Sequence, residues 1–322
     1  MPRDGLTGSG QDRAPRRLSV LWGLTALCLL AIGASAGYAI YALQFGPCPP
    51  FLRTATARAP SPPGPTRARG GGPLRLAGSG SNVALTRLLV GAYQARSPRP
   101  SIVVHRSIGS GGAVRAVRDG VVDLGLVSRP LQEAERQLGL IVIPYARVAV
   151  IVAAHPSVAQ EGLSRAELLA IFRGEQREWP DGSRLVLLLR EAGDSGNLAL
   201  EGWLPELVAA RREAERRGLG RILYSDAEMQ AALTNTEGAI GLFDLGALVS
   251  QNLAIKALAL DGHKPSADNL GSGAYPVFKD LAFVAARRPE GPVAGLLRFV
   301  FSAEGEQTIR AAGYLPLGGQ AP

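Results

Sequence analysis

The stretch that decides the fold runs from Ser107 to Leu131 and reads SIGSGGAVRAVRDGVVDLGLVSRPL. Small residues (Ser107, Gly109, Ser110, Gly111, Gly112) stand directly before an apolar, helix-spaced run, which leads into the strand-like VVDLGLVS of 121–128. A Gly-Ser turn that opens a helix leaves backbone N–H groups without intrahelical partners, at the positive end of the helix dipole. Such a turn is either a plain tight turn or a seat for an anion. The rest of the sequence has to decide.

Two further junctions share this character. AGSGSN (77–82) follows the strand-like LRLAG (74–78) and precedes a helical pattern over 82–96. REAGDSGN (190–197) follows RLVLLLR (184–190) and precedes helical patterns over 196–217. Three such turns, each with Ser beside Gly, point to a shared oxyanion site with neutral donors on several sides. They do not match the better-known phosphate loops: the first lysine of the chain is Lys256, and neither Gly78-x-Gly80 nor Gly109-x-Gly111 is followed by the third glycine of a dinucleotide loop. Arg190 ends its strand just before the third turn, where a guanidinium can give charge-assisted, bidentate bonds to an oxyanion. Arg129 follows another strand end. Asp194 has two readings: it caps the helix that follows, or it accepts a proton carried by the anion, as phosphate carries one near neutral pH and sulfate does not.

Outward from these turns, strand and helix patterns alternate. SIVVHR (101–106) is strand-like, LIVIPYARVAVIVAAH (140–155) is a long apolar passage interrupted by Pro144, and RILYS (221–225), GAIGLFD (238–244) and AIKALAL (254–260) are short strands. YPVFKDLAFVAA (275–286) reads as a strand pair or one bent strand, and two helices close the chain near 291–301 and 303–312. Ser164 with Glu167, and Ser225 with Glu228, have the spacing of capping boxes. The alternation implies an α/β fold with a largely parallel sheet and helices on its faces. The long apolar crossing and a late return imply two lobes, 74–146 with 275–322 and 147–274.

Charge narrows the function. Of the formal +8, residues 1–73 carry +6 (eight arginines, two aspartates), leaving +2 for residues 74–322. The folded region is nearly neutral, so a nucleic-acid role loses its support. Leu18–Phe45 has no charged residue and follows Arg13, Arg16 and Arg17. As a helix it would reach roughly 42 Å, more than the ~30 Å hydrocarbon core. The positive-inside rule puts its start in the cytoplasm, as a tail over 1–17, and the bulk of the chain on the outer side. A secretory signal cut after Ala34-Ser35-Ala36 competes with an uncleaved transmembrane anchor. The anchor is favoured because apolar character continues through YAIYALQF. Residues 46–73 are rich in Pro, Arg and Gly and read as a linker.

Cys28 and Cys48 lie in and just after the apolar run, so this is no disulfide scaffold. His105, His155 and His263 lack metal-ligand spacing. The single G-x-S-x-G, Gly33–Gly37, falls inside the apolar run, where no hydrolase elbow belongs. Neither an enzyme, a metal nor a cofactor is expected.

The blocks AGSGSN, SIGSGGAVRAVRDGVVDLGLVSRPL, LSRAELLAIFRGEQREW and NTEGAIGLFDL, in that order, resemble the periplasmic phosphate-binding proteins of ABC importers. The similarity covers about residues 74–317. It implies a two-lobed type II periplasmic binding protein (Venus flytrap) fold, here preceded by an N-terminal transmembrane helix and linker. The resemblance also implies a ligand set: Ser81, Asn82 and the backbone of Val83 from the first turn, Ser110 from the second, Ser128 with Arg129 adjacent, and Arg190, Ser195, Gly196 and Asn197, with Asp194 beside them. Ser128 stands where some relatives carry an Asp that reads the proton on phosphate. An extra residue separates Arg190 from Ser195.

The expectation is therefore an extracytoplasmic receptor, tethered to the inner membrane through residues 18–45. It captures phosphate or a related tetrahedral oxyanion between its lobes and presents it to an ABC transporter permease. The alternative keeps the fold as a membrane sensor or a structural module without transport.

Overall fold

The computed structural model describes residues 72–99 and 101–319. The anchor or signal segment 18–45 lies outside the described residues, as does the linker before residue 72. Among the described residues no helix is long and apolar enough to cross a membrane.

The chain opens with β1 (Leu74–Gly78), α1 (Gly80–Arg96), β2 (Ile102–Val104), α2 (Gly109–Arg118), β3 (Leu124–Val127) and α3 (Glu133–Arg136). The long β4 (Ile141–Ala154) follows, then β5 (Gly162–Leu163), α4 (Arg165–Arg173), β6 (Val186–Arg190), α5 (Ser195–Trp203) and α6 (Leu207–Arg217). Next come β7 (Arg221–Leu223), α7 (Asp226–Asn235), β8 (Ala239–Asp244), α8 (Leu245–Ser250), β9 (Lys256–Leu260) and α9 (Ala267–Gly271). β10 (Phe278–Ala285), α10 (Gly291–Val300), α11 (Ala303–Ala311) and β11 (Leu315–Pro316) finish the chain.

The strands join in the order β2-β1-β3-β10-β4-β8-β6-β7. Both flanks are parallel: β1 pairs with β2 and β3, and β6 with β7 and β8. The centre is not, since β10 runs antiparallel to β3 and β4, and β4 runs antiparallel to β8 and β9. The expectation of a largely parallel sheet thus holds for the flanks and fails at the middle, where the chain crosses and returns. Pro144 does not interrupt β4. It lies opposite Ala282, where the register steps between Leu281 and Ala282. A proline without its N–H is tolerated at such a bulge. Tyr145, the extra residue, is buried and stacks on Phe283 with ring centroids 4.3 Å apart.

Apolar side chains collect on two sides of a line that crosses β4 between Val148 and Ala149. A large core spans residues from Ala149 to Val277. Two neighbouring cores take residues from Leu74 to Val148 and from Leu281 to Tyr314. We call the latter side the first half and the former the second half.

The decisive stretch packs as its pattern predicts. Ala113, Val114 and Val117 of α2 are buried, as is all of β3. Gly125 permits the contact: a Cβ there would lie 2.8 Å from Val117 Cγ2 and 3.2 Å from the Ala113 carbonyl oxygen. Local chemistry places other ends. Ser164 and Glu167 form the expected capping box on α4, closed by Gly174 at φ 71°. The second box is only half formed: Ser225 accepts from the Glu228 N–H, but the Glu228 carboxylate reaches back to the Tyr224 N–H instead. The helical pattern of 196–217 divides into α5 and α6 around Pro205, and 275–286 holds one strand rather than a pair.

Candidate functional site

Each of the three turns lies at the C-terminal end of a strand. Open α/β sheets place their ligand sites there. Ser79 directly precedes α1, Ser110 lies at the start of α2, and Ser128 follows β3 directly. Ser195 begins α5 in the second half.

Ser128 is the hub. Its hydroxyl shares a 2.7 Å hydrogen bond with the Ser79 hydroxyl and donates to Ser195 Oγ at 2.9 Å, while its backbone N–H donates to Ser110 Oγ at 3.2 Å. Three of the residues singled out in the sequence, Ser110, Ser128 and Ser195, therefore meet at one point. The Ser128–Ser195 bond runs from one half to the other.

Beside the serines lies a compact set of charges. Arg190, buried at the end of β6, donates to Glu191 at 2.9 and 3.1 Å and to Asp226 Oδ1 at 2.6 Å, and its Nη2 lies 3.2 Å from Asp194 Oδ2. Lys279, at the start of β10, donates to Ser81 Oγ at 2.7 Å and pairs with Asp244 at 2.7 Å. Burial alone would draw the Lys279 ammonium toward neutrality. Asp244, Asp194 and Asp226 outweigh it and hold the pKa above its ordinary value. Burial pushes the Asp194 carboxyl up, against the pull of Lys279 and Arg190. Two cations thus face four carboxylates: Glu191, Asp194, Asp226 and Asp244. Arg190, Lys279, Asp194, Asp226 and Asp244 enclose, with Val150, Gly196, Leu242 and Phe243, a cavity of about 10 Å³, room for roughly one water.

The remaining sequence candidates have other partners. Asp194 Oδ1 accepts from the N–H groups of Gly196 and Asn197 at 2.8 and 3.3 Å, so its capping reading is realised, and these two donors of the third turn are met from within the chain. The Asn197 amide donates to the carbonyls of Arg190 and Glu191, tying the turn to its strand. The Asn82 amide donates to the Val127 carbonyl and toward the Tyr145 hydroxyl, and Val83 is buried in the first-half core. Arg129 is held in a bidentate pair by Glu135 at 2.7 and 2.9 Å, and it does not line the cavity.

Sequence reasoning missed Lys279, Asp244, Asp226 and Ser79. For Lys279 a signal was present. It is one of three lysines in the chain and sits within the largely apolar strand pattern VFKDLAFVAA. A charge there demands a buried partner. Asp226 was hidden by the capping pattern around Ser225.

An α/β chain with apolar cores in two halves, joined through a crossing strand and a polar cleft at the strand ends, has the architecture of a solute-binding protein. The chain belongs to the PBP superfamily: residues 63–304 match the model of the PBP superfamily domain. It is 24% identical over 252 residues to the phosphate-binding protein PstS of Bacillus subtilis (strain 168), covering 76% of this chain and 81% of that one. A protein of Clostridium perfringens assigned to a phosphate ABC transporter, solved with bound phosphate, superposes with a TM-score of 0.66 at 19% identity, over 76% of this chain and all of that one. An ABC-type phosphate transport receptor from Vibrio cholerae gives a TM-score of 0.55 at 19% identity, over 75% of this chain and 99% of that one. At these identities the solved structures establish the shared fold.

Proposed function

We propose that the two halves are the lobes of a type II binding protein, 74–146 with 275–322 and 147–274, which close on phosphate or a related tetrahedral oxyanion and present it to an ABC importer. The observation that carries this reading is the meeting of Ser110, Ser128 and Ser195 at one point beside the buried Arg190 and Lys279. Neutral hydroxyls and two fixed cations at strand ends and helix starts are the groups that hold an oxyanion. The four carboxylates favour an anion that carries a proton. A protonated oxyanion can donate to a carboxylate, whereas a fully ionised one meets only repulsion there. The names of the relatives support phosphate as the ligand. The apolar segment 18–45 supports a receptor held at the outer face of the cytoplasmic membrane, with the linker as its tether.

Calorimetric titration of the full chain, stripped of bound anion, tests the reading. Phosphate is expected to bind and sulfate to fail, with phosphate binding lost in Arg190→Ala. Equal binding of both anions would remove proton selection, and binding of neither would remove the receptor reading.

A further inference from the structure

The carboxylate of Asp226 sits between the two halves of the molecule. Asp226 is the first residue of α7, in the second half, and its side chain is 36% exposed. One oxygen accepts from Arg190 Nη1 at 2.6 Å. The other lies against Gly80, the first residue of α1 in the first half, so closely that a Cβ on Gly80 would stand 1.6 Å from it. The carboxylate therefore hydrogen-bonds a buried guanidinium of one half and packs against the first residue of a 17-residue helix of the other. Those are the two kinds of group that hold oxyanions. The cavity of about 10 Å³ left beside it takes roughly one water and has no room for a tetrahedral oxyanion.

We infer that Asp226 is an internal anion: its carboxylate holds the ligand's place between Arg190 and the start of α1, bolts the two halves together, and is displaced when an oxyanion binds. The inference rests on the oxyanion-receptor reading above for its last clause, and on this chain's own geometry for the first two. Binding is then an exchange. The incoming anion takes over the guanidinium and the helix N-terminus, and Asp226 swings to the solvent that already reaches it. α7 keeps its cap during that movement, because the Ser225 hydroxyl and not Asp226 accepts from the Glu228 N–H. Gly80 is part of the device, since any side chain there would occupy the carboxylate's seat.

The test uses the full chain in detergent, with wild type, Asp226→Asn and Asp226→Ala compared in two measurements. The first is amide hydrogen exchange without added anion, read on peptides covering residues 79–83 and 107–112. The second is the Kd for inorganic phosphate. Loss of the bolt predicts faster exchange in both peptides, and loss of the competitor predicts a Kd lower by roughly ten-fold in both variants, a change on the scale of one charge-assisted contact. Gly80→Ala, which expels the carboxylate by volume, predicts the same rise in exchange without anion. Unchanged exchange together with unchanged Kd would overturn the inference, and so would weaker phosphate binding in the variants, which would make Asp226 a ligand contact. If exchange rises but wild type and variants alike bind no phosphate, the bolt stands and the phosphate reading falls.

Discussion

Ser128 Oγ donates to Ser195 Oγ at 2.9 Å, joining the end of β3 in one half of the molecule to the first residue of α5 in the other. With Ser79 and Ser110 also bonded to Ser128, this serine ties three strand-to-helix turns together. Ser128→Ala removes the hydroxyl bonds to Ser79 and Ser195 at a buried position. The expected loss of stability is about 1–3 kcal/mol, read from urea unfolding, together with several-fold weaker phosphate binding in calorimetry. An unchanged midpoint and Kd would show that the hub bears on neither folding nor binding.

Lys279 and Asp244 form a buried ion pair at 2.7 Å, with side chains 5% and 7% exposed. Removing one member leaves the other charge uncompensated. Lys279→Met is therefore expected to destabilise the protein by roughly 3–5 kcal/mol. The double variant with Asp244→Asn should recover part of that loss, giving a clear coupling energy in a double-mutant cycle. Strict additivity of the two single changes would mean that the pair does not act as a unit.

Gly125→Ala puts a methyl group 2.8 Å from Val117 Cγ2. The α2–β3 contact must then open, at an expected cost of about 1–3 kcal/mol. Adding Val117→Ala should return part of it by clearing the space, as judged by thermal melting. If Gly125→Ala alone melts like wild type, the glycine is not needed for this contact.

Much of this was legible in the sequence, because the signals were local. The Gly-Ser turns before 82–96, 111–120 and 196–217 mark real helix starts, although α1, α2 and α5 begin one or two residues earlier. Ser164 and Glu167 fixed the start of α4 through their own side chains. Less legible were features set by distant partners. The bulge that lets Pro144 stay in β4 depends on Leu281 and Ala282, far along the chain. The antiparallel centre depends on where β10 returns. At the site, Ser110 and Ser195 were readable because each accompanies a glycine in its turn, whereas Ser128 was reached through the resemblance alone. Asp226, Asp244 and Lys279 were not, because their meaning lies in distant partners. Asp226 touches Arg190 and Gly80 across separations that no local pattern records. Arg129 looked free at a strand end, but Glu135 six residues later claims it.

The capping box on α4 gives a pH prediction. The Glu167 carboxylate accepts from the Ser164 N–H and hydroxyl, both at 2.8 Å, and these bonds hold its pKa below the ordinary 4.5. A carboxyl with a depressed folded-state pKa contributes stability that is complete above the unfolded value and is lost as pH falls through the folded one. Wild type should therefore lose stability relative to Glu167→Gln as the pH drops below 4.5, measured by denaturant midpoints across that range. Parallel acid curves would show that the box adds no pH-dependent stability. Ser164→Ala should cost about 1 kcal/mol at neutral pH.

The central claim is that the cleft between the two halves is an oxyanion site built on Arg190 and the serine hub. Phosphorus NMR of inorganic phosphate titrated with the full chain reads this directly. A shifted, broadened or separate bound signal is predicted for wild type, saturating at one phosphate per chain and absent in Arg190→Ala. A phosphate signal identical in the presence and absence of wild-type protein, or a bound signal that survives Arg190→Ala unchanged, would contradict the account.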